Sequence, residues 1–203
     1  MREVFVNSSL NYLKKNNVCD SKQERIFKYT LESLYSFFTK SIVMLLLAIL
    51  FGTFKITFVL LCFYSILRGF TFGIHATKNL YCWLISISIY VICPLLIKIF
   101  QFPTYFIYTI FLLGILAILL WAPADTKARP LINKRKRVFN KLISLFIAIG
   151  FIVVAFLLNK QNLKEIVSFV LLLNLICTCP FTYYIFKQPY KNYRFYKSKL
   201  NVV

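Results

Sequence analysis

Acidic residues are scarce in this chain: 6 Asp and Glu in 203 residues, against 25 Lys and Arg, for a formal net charge of +19. Charged residues of both signs make up only 15% of it, where a soluble domain has roughly a quarter, and 60% is hydrophobic. That balance excludes a disordered chain and argues against an ordinary water-soluble globule. Glycine (5) and proline (6) are too few for a collagenous or linker-like sequence. Histidine occurs once, at position 75. No CxxC pair is present, and Cys177-Thr-Cys179 has the wrong spacing for a redox or zinc pair. No metal or cofactor is therefore expected. The positive surplus admits two partners, nucleic acid or an anionic membrane leaflet, and its distribution decides between them.

What is abundant is long apolar sequence. Leu80–Ile97, Thr104–Trp121 and Leu142–Leu158 are uncharged runs of 17–18 residues, and Ile166–Phe186 is one of 21. At about 1.5 Å per residue each is long enough to cross the hydrocarbon core. None keeps the polar face of a soluble helix. Before them, Leu34–Phe54 is apolar apart from Lys40, and after Lys55 comes Ile56–Leu67, only 12 residues. This pair reads as a membrane hairpin with Lys55 at its tip and a second arm of re-entrant length. The fold class is an all-α integral membrane protein with about six membrane helices, the second short. Residues 1–203 are expected to form one polytopic domain: an amphipathic helical region over 1–33, membrane helices over 34–186 and a basic tail over 187–203. A capping box at Ser21–Glu24 and the spacing of Phe27, Leu31, Leu34 and Phe38 support the N-terminal helix. No apolar run begins before residue 30, so no cleavable signal peptide is expected.

Six crossings put both termini on one side of the membrane. The N-terminal region, Arg68–Asn79, Ala122–Lys141 and the tail then share a face and hold 21 of the 25 cations, leaving Lys55, Lys98, Lys160 and Lys164 opposite. Positive residues are retained in the cytoplasm, so the termini are expected inside the cell membrane. Because the charge borders spans, the lipid bilayer is the expected partner and nucleic acid is not.

The six cysteines lie in membrane segments or on the cytoplasmic side, where thiols stay reduced. For Cys62, Cys93, Cys177 and Cys179 the simple reading is a small buried apolar residue. Cys82 differs, because His75 precedes it by seven residues at the cytoplasmic mouth of a span. A thiol becomes a useful nucleophile when a base takes its proton and positive charge stabilises the thiolate. His75 is the available base, and Arg68 and Lys78 add charge. Gly69 and Gly73 allow tight turning. On one straight helix the two residues would stand about 10.5 Å apart along the axis, beyond hydrogen-bond reach. A pair therefore requires the helix to begin near Asn79, with His75 on a loop folding back. The alternative is a buried histidine beside an unrelated cysteine.

Prolines 123 and 130 frame a second distinctive stretch, Ala122-Pro-Ala-Asp125-Thr-Lys127-Ala-Arg129-Pro130, expected to be extended or turned. Asp125 is its one acid. A carboxylate there can orient an imidazole, as in a triad; a solvated turn aspartate is the simpler account. The following Lys134–Arg137 cluster reads as a topogenic, lipid-facing group before it reads as a substrate site.

Together, Arg68-x4-Gly73-x-His75-Ala76, Cys82 six residues later, and Ala122-Pro-Ala-Asp-Thr-Lys-x-x-Pro130 resemble the accessory gene regulator B family. The likeness covers nearly the whole chain, including its basic N-terminal region and its apolar segments. One position departs: Phe72 stands where the family usually has the first of two glycines. The resemblance implies a membrane cysteine endopeptidase of bacterial quorum sensing. Such enzymes cut the C-terminal part from a short signal propeptide and cyclise the remainder to a thiolactone or lactone. By the same match Cys82 is the nucleophile and His75 the general base, with Arg68 and Gly73 supporting the site. Asp125, Lys127 and Arg129 are held as supporting or substrate-binding candidates. Expected partners are the propeptide and a second copy of the chain in a homodimer. A small peptide exporter and a non-catalytic membrane scaffold are the rival readings.

Overall fold

The computed structural model describes residues 2–15, 24–74, 79–125 and 131–193, and every described element longer than a single bridge is helical. Two compact units divide the chain, residues 1–47 and 48–203. The first holds α1 (Arg2–Lys15) and all but the last three residues of α2 (Glu24–Leu50), and the Phe5 ring lies 5.5 Å from that of Tyr35. The amphipathic stretch and the first apolar segment are thus one continuous helix, apolar over Leu34–Leu50. The expected capping box involves Ser21, which lies outside the described residues.

The second unit holds α3 (Phe54–Thr71), α4 (Asn79–Ile87), a π-helical turn (Ser88–Ile92), α5 (Cys93–Ile99), α6 (Thr104–Trp121), α7 (Lys134–Leu157), α8 (Gln161–Thr178) and α9 (Pro180–Ile185). Gly52, at φ +63°, ends α2 in the left-handed conformation, and the N–H of Thr53 donates to Ala48 O at 2.8 Å. The turn after α2 is therefore Phe51–Thr53, and Lys55, expected at a hairpin tip, already lies in the first turn of α3. The second apolar segment is longer than its uncharged run suggests: α3 has 18 residues, because the helix continues through both Lys55 and Arg68. The last run changes in the opposite direction. Its helix ends at Thr178 and restarts at Pro180, since proline has no N–H to continue the ladder. The π-helical turn likewise sits just before Pro94.

Among the described residues, α3, α6, α7 and α8 are long and apolar enough to cross a membrane, and Leu34–Leu50 and Trp83–Ile99 are shorter apolar segments. With these the chain is an all-α membrane protein. Its packing follows from that medium. Lipid gives no hydrophobic drive between helices, so small residues set the close approaches. Gly114 of α6 packs so tightly on α8 that an added Cβ would stand 2.7 Å from Leu171 Cβ. Ala148 and Ala155 of α7 are fully buried, and Phe63 of α3 stacks on Phe151 at 4.2 Å. Large apolar side chains such as Leu112, Phe146 and Leu157 instead point outward, as they must where the solvent is hydrocarbon. At the end of the bundle where α8 begins, buried Glu165 accepts the N–H of Phe102 at 3.1 Å and Nε2 of Gln161 at 3.0 Å. Lys98 Nζ donates to Phe51 O at the same end.

Candidate functional site

The other end of this unit is where α3, α6 and α8 finish and α4 and α7 begin. Three of the sequence candidates, Arg68, Gly73 and Asp125, meet there around a short non-helical segment, Phe72–Ile74. Its neighbour Ala124 runs parallel to it: the N–H of Ala124 donates to Thr71 O at 2.9 Å, and the N–H of Gly73 donates to Ala124 O at 2.7 Å. On the other flank the N–H of Ile74 donates to Cys177 O at 3.0 Å. Arg68 Nη2 donates to Ile74 O. All the backbone groups of this segment named here are paired across three different elements, so its position is over-determined.

The carbonyl that takes Ile74 is open for a reason visible in the chain. Pro180 ends α8, leaving its last carbonyls without helical donors. Thr182 Oγ1 donates to Ile176 O at 2.6 Å, and Cys177 O receives Ile74.

Gly73 has φ +109°, a conformation that L side chains rarely adopt. A Cβ there would be driven into Arg68 Nη1 and would lie 2.6 Å from Cys177 O. Phe72 also has a positive φ, +57° with ψ −134°. The backbone at this departure from the family pattern thus takes a glycine-like shape even though the residue is phenylalanine. Such strain persists only where the surroundings hold it.

Arg68 is a helical residue whose guanidinium turns inward among Tyr64, Tyr90, Tyr183 and Cys177. Its Nη1 is buried without a hydrogen-bond partner among the described residues. Tyr64 Oη lies 3.5 Å from Cys177 Sγ. One turn earlier on α8, Asn174 is fully buried with neither side-chain heteroatom partnered among the described residues.

Asp125 is not a solvated turn residue. It is 2% exposed; Oδ1 accepts the N–H of Asn192 at 3.1 Å and Oδ2 that of Tyr193 at 2.8 Å. Buried Tyr183 donates to Ala124 O at 3.1 Å. The start of the tail and α9 therefore clamp the segment that holds Gly73. Burial pushes the Asp125 carboxyl above the usual carboxylate range, and the backbone N–H groups of Tyr193, Leu131 and Asn192 pull it partly back.

Cys82 lies in α4, with its side chain outside the described set, and His75, Lys127 and Arg129 are outside the described residues altogether. The described part of α4 runs from Asn79 and carries Cys82. The contributions of Tyr64, Asn174, Cys177, Tyr183 and Asn192 escaped the sequence reading. Cys177 and Asn174 look like ordinary span residues, and only Pro180, as a helix breaker, hinted at open carbonyls.

Comparison with known proteins agrees with the motifs. The family model described as Accessory gene regulator B matches residues 6–178. An AgrB-like protein of Clostridium acetobutylicum is 27% identical over 168 residues, 82% of this chain and 79% of the relative. One from Listeria innocua is 34% identical over 137 residues, 66% of each chain. Accessory gene regulator protein B of Staphylococcus epidermidis is 29% identical over 169 residues, covering 83% of this chain and 86% of the relative. No solved structure matches. With the family model spanning most of the chain, and with the Arg68–Gly73 and Ala122–Asp125 motifs packed on each other, the chain belongs to the Accessory gene regulator B family.

Proposed function

We propose that this protein is a membrane cysteine endopeptidase that cleaves a quorum-sensing propeptide and helps to cyclise it. The observation that supports this reading is the pinned segment Phe72–Ile74, which fixes the chain at the residue immediately before His75, five positions ahead of the described start of the helix that carries Cys82. A general base is useful only if its approach to the nucleophile is set by its surroundings.

His75 takes the thiol proton of Cys82. The thiolate attacks the scissile carbonyl, the C–N bond breaks, and His75 returns the proton to the leaving amine. The products are a thioester on Cys82 and a free C-terminal fragment. A thiol or hydroxyl within the bound propeptide then attacks the thioester. A new thioester or ester closes the ring and Cys82 recovers its proton. Exchange between thioesters is close to neutral in energy, so a thiolactone forms without a nucleotide. Water competes for the same thioester, and a site at the membrane boundary limits its access. The intramolecular nucleophile gains further from its effective concentration. The inward guanidinium of Arg68 supplies fixed positive potential beside the segment. The concentration of cations at this end of the bundle supports a cytoplasmic site, with both termini inside and acidic propeptide segments drawn toward it.

The test mixes membranes containing the protein with the propeptide encoded nearby and weighs the products by mass spectrometry. Wild-type protein is expected to release the C-terminal fragment and give an adduct at Cys82; Cys82→Ala and His75→Ala are expected to abolish cleavage. Cleavage that survives both substitutions overturns the proposal, and intact propeptide accumulating outside sealed vesicles marks an exporter instead.

A further inference from the structure

Beside the clamped segment lies a second feature that the peptidase reading does not use. A cleft of about 220 Å³ is formed by the last turn of α6, the segment Ala122–Asp125, the start of α7 and the tail. It sits where the membrane-spanning run of α6 ends at Trp121. Part of its lining is apolar and continuous with the outer surface: Leu120 is 67% exposed and Val138 50%. The rest carries three cations, Arg137, Lys141 and Lys191, alongside Trp121 and Tyr190.

The positive charge in this cleft outweighs its one acid, three cations to Asp125. Asp125 also lines it, but both of its carboxylate oxygens are taken by the N–H groups of Asn192 and Tyr193. Among the described residues none of the three cations has a carboxylate at ion-pair distance. Arg137 is held in place, its guanidinium 3.7 Å from the centroid of the Tyr193 ring and Nη1 donating to Leu131 O at 3.2 Å. Tryptophan and tyrosine favour the headgroup level of a bilayer, and basic pockets between membrane helices bind anionic headgroups. A ligand matching both halves of the lining has an anionic head and apolar chains. A free phosphate would leave Leu120 and Val138 unused, and so would an acidic peptide arriving from water.

We propose that this cleft binds the headgroup of an anionic phospholipid of the phosphatidylglycerol type, with its chains along Leu120 and Val138. Ala122, Pro123 and Asp125 form one wall, and Ala124 between them holds the N–H of Gly73. Bound lipid therefore braces the segment that positions Phe72–Ile74. Occupancy of the cleft does not depend on the peptidase chemistry.

The chain has two tryptophans, so Trp83→Phe leaves Trp121 in the cleft as the sole reporter. The full-length variant in detergent micelles would be titrated with phosphatidylglycerol or phosphatidylcholine brominated on the acyl chains, following quenching of Trp121. Phosphatidylglycerol is expected to reach half-quenching at a mole fraction at least about tenfold lower. Each Lys or Arg near a charged surface is worth about fivefold, so Lys191→Gln weakens binding by about that factor and R137Q/K141Q/K191Q removes the preference. The single tail variant keeps the result interpretable if the triple variant misfolds. Equal quenching by the two lipids overturns the proposal. Displacement of phosphatidylglycerol by millimolar inorganic phosphate would mark a free-phosphate site instead. Displacement by an oligoglutamate peptide would mark a peptide site, and either result also overturns it.

Discussion

Replacing Gly73 by alanine tests whether the geometry of the pinned segment matters to the chemistry. Two costs arise from one methyl group. The first is conformational: φ +109° is a region that L residues avoid, at about 1–3 kcal/mol. The second is steric. The new Cβ meets Arg68 Nη1, the end of a movable side chain, but also Cys177 O at 2.6 Å, which is backbone. Arg68 can swing away; the carbonyl retreats only if Phe72–Ile74 separates from α8. Overpacking of this kind costs about 1–3 kcal/mol more. The sum, roughly 2–6 kcal/mol, exceeds the net worth of the Ile74–Cys177 hydrogen bond, about 1 kcal/mol. The segment is therefore expected to shift and break that bond. A displacement of about 1 Å at a catalytic group lowers turnover about a hundredfold. Gly69→Ala is the matched control: it lies on α3 with no atom within 4 Å of its Cβ position, and alanine is the better helix former. Cleavage would be timed by mass spectrometry in membranes holding equal amounts of each protein, and thermal stability measured in detergent. Gly69→Ala should cleave normally with an equal or higher Tm. If Gly73→Ala matches it on both counts, the claim that this backbone shape is required is wrong.

Phe72→Gly removes the strain of a phenylalanine at φ +57°, so cleavage should stay within about threefold of wild type; a loss beyond tenfold would mean that the side chain, not the backbone, is what the position needs. Asp125→Ala deprives two backbone donors of their acceptor, at about 1–3 kcal/mol each, and limited proteolysis should then cut near Asn192 where wild-type protein resists. The raised pKa of Asp125 means that the folded state holds its proton more tightly than the unfolded one. The stability linked to that proton is complete below the unfolded pKa and lost as pH rises through the folded value. Acidification from about pH 7 to about pH 5 should therefore not release the tail, and proteolysis at the two values checks this. Gly114→Ala places a Cβ 2.7 Å from that of Leu171 and should destabilise the bundle by about 1–3 kcal/mol, with part of the loss recovered in G114A/L171A by detergent unfolding.

How much of this was legible from the chain depends on the range of the interaction. Membrane class, helical content and the six apolar segments follow from composition and run length, because hydrocarbon leaves a helix as the one solution for a single apolar run. Segment ends were less legible. Arg68 looked like the edge of a span, whereas α3 carries it inward to face three tyrosines and a thiol. Asp125 looked like a turn residue because its partners, Asn192 and Tyr193, stand nearly 70 positions away with nothing in the pattern to link them.

The scarcity of acids and the clustering of cations thus determined by themselves that this is a multi-helix membrane protein of one charge asymmetry. The motif spacing singled out the candidate residues Arg68, Gly73, His75, Cys82 and Asp125. Only the tertiary structure decided how that site is held: Ala124 and Cys177 come from separate helix ends, and their carbonyls grip Gly73 and Ile74. Local sequence can specify a helix through its own hydrogen bonds. It cannot specify which distant carbonyl a loop N–H will find, because that partner exists only once the helices have packed.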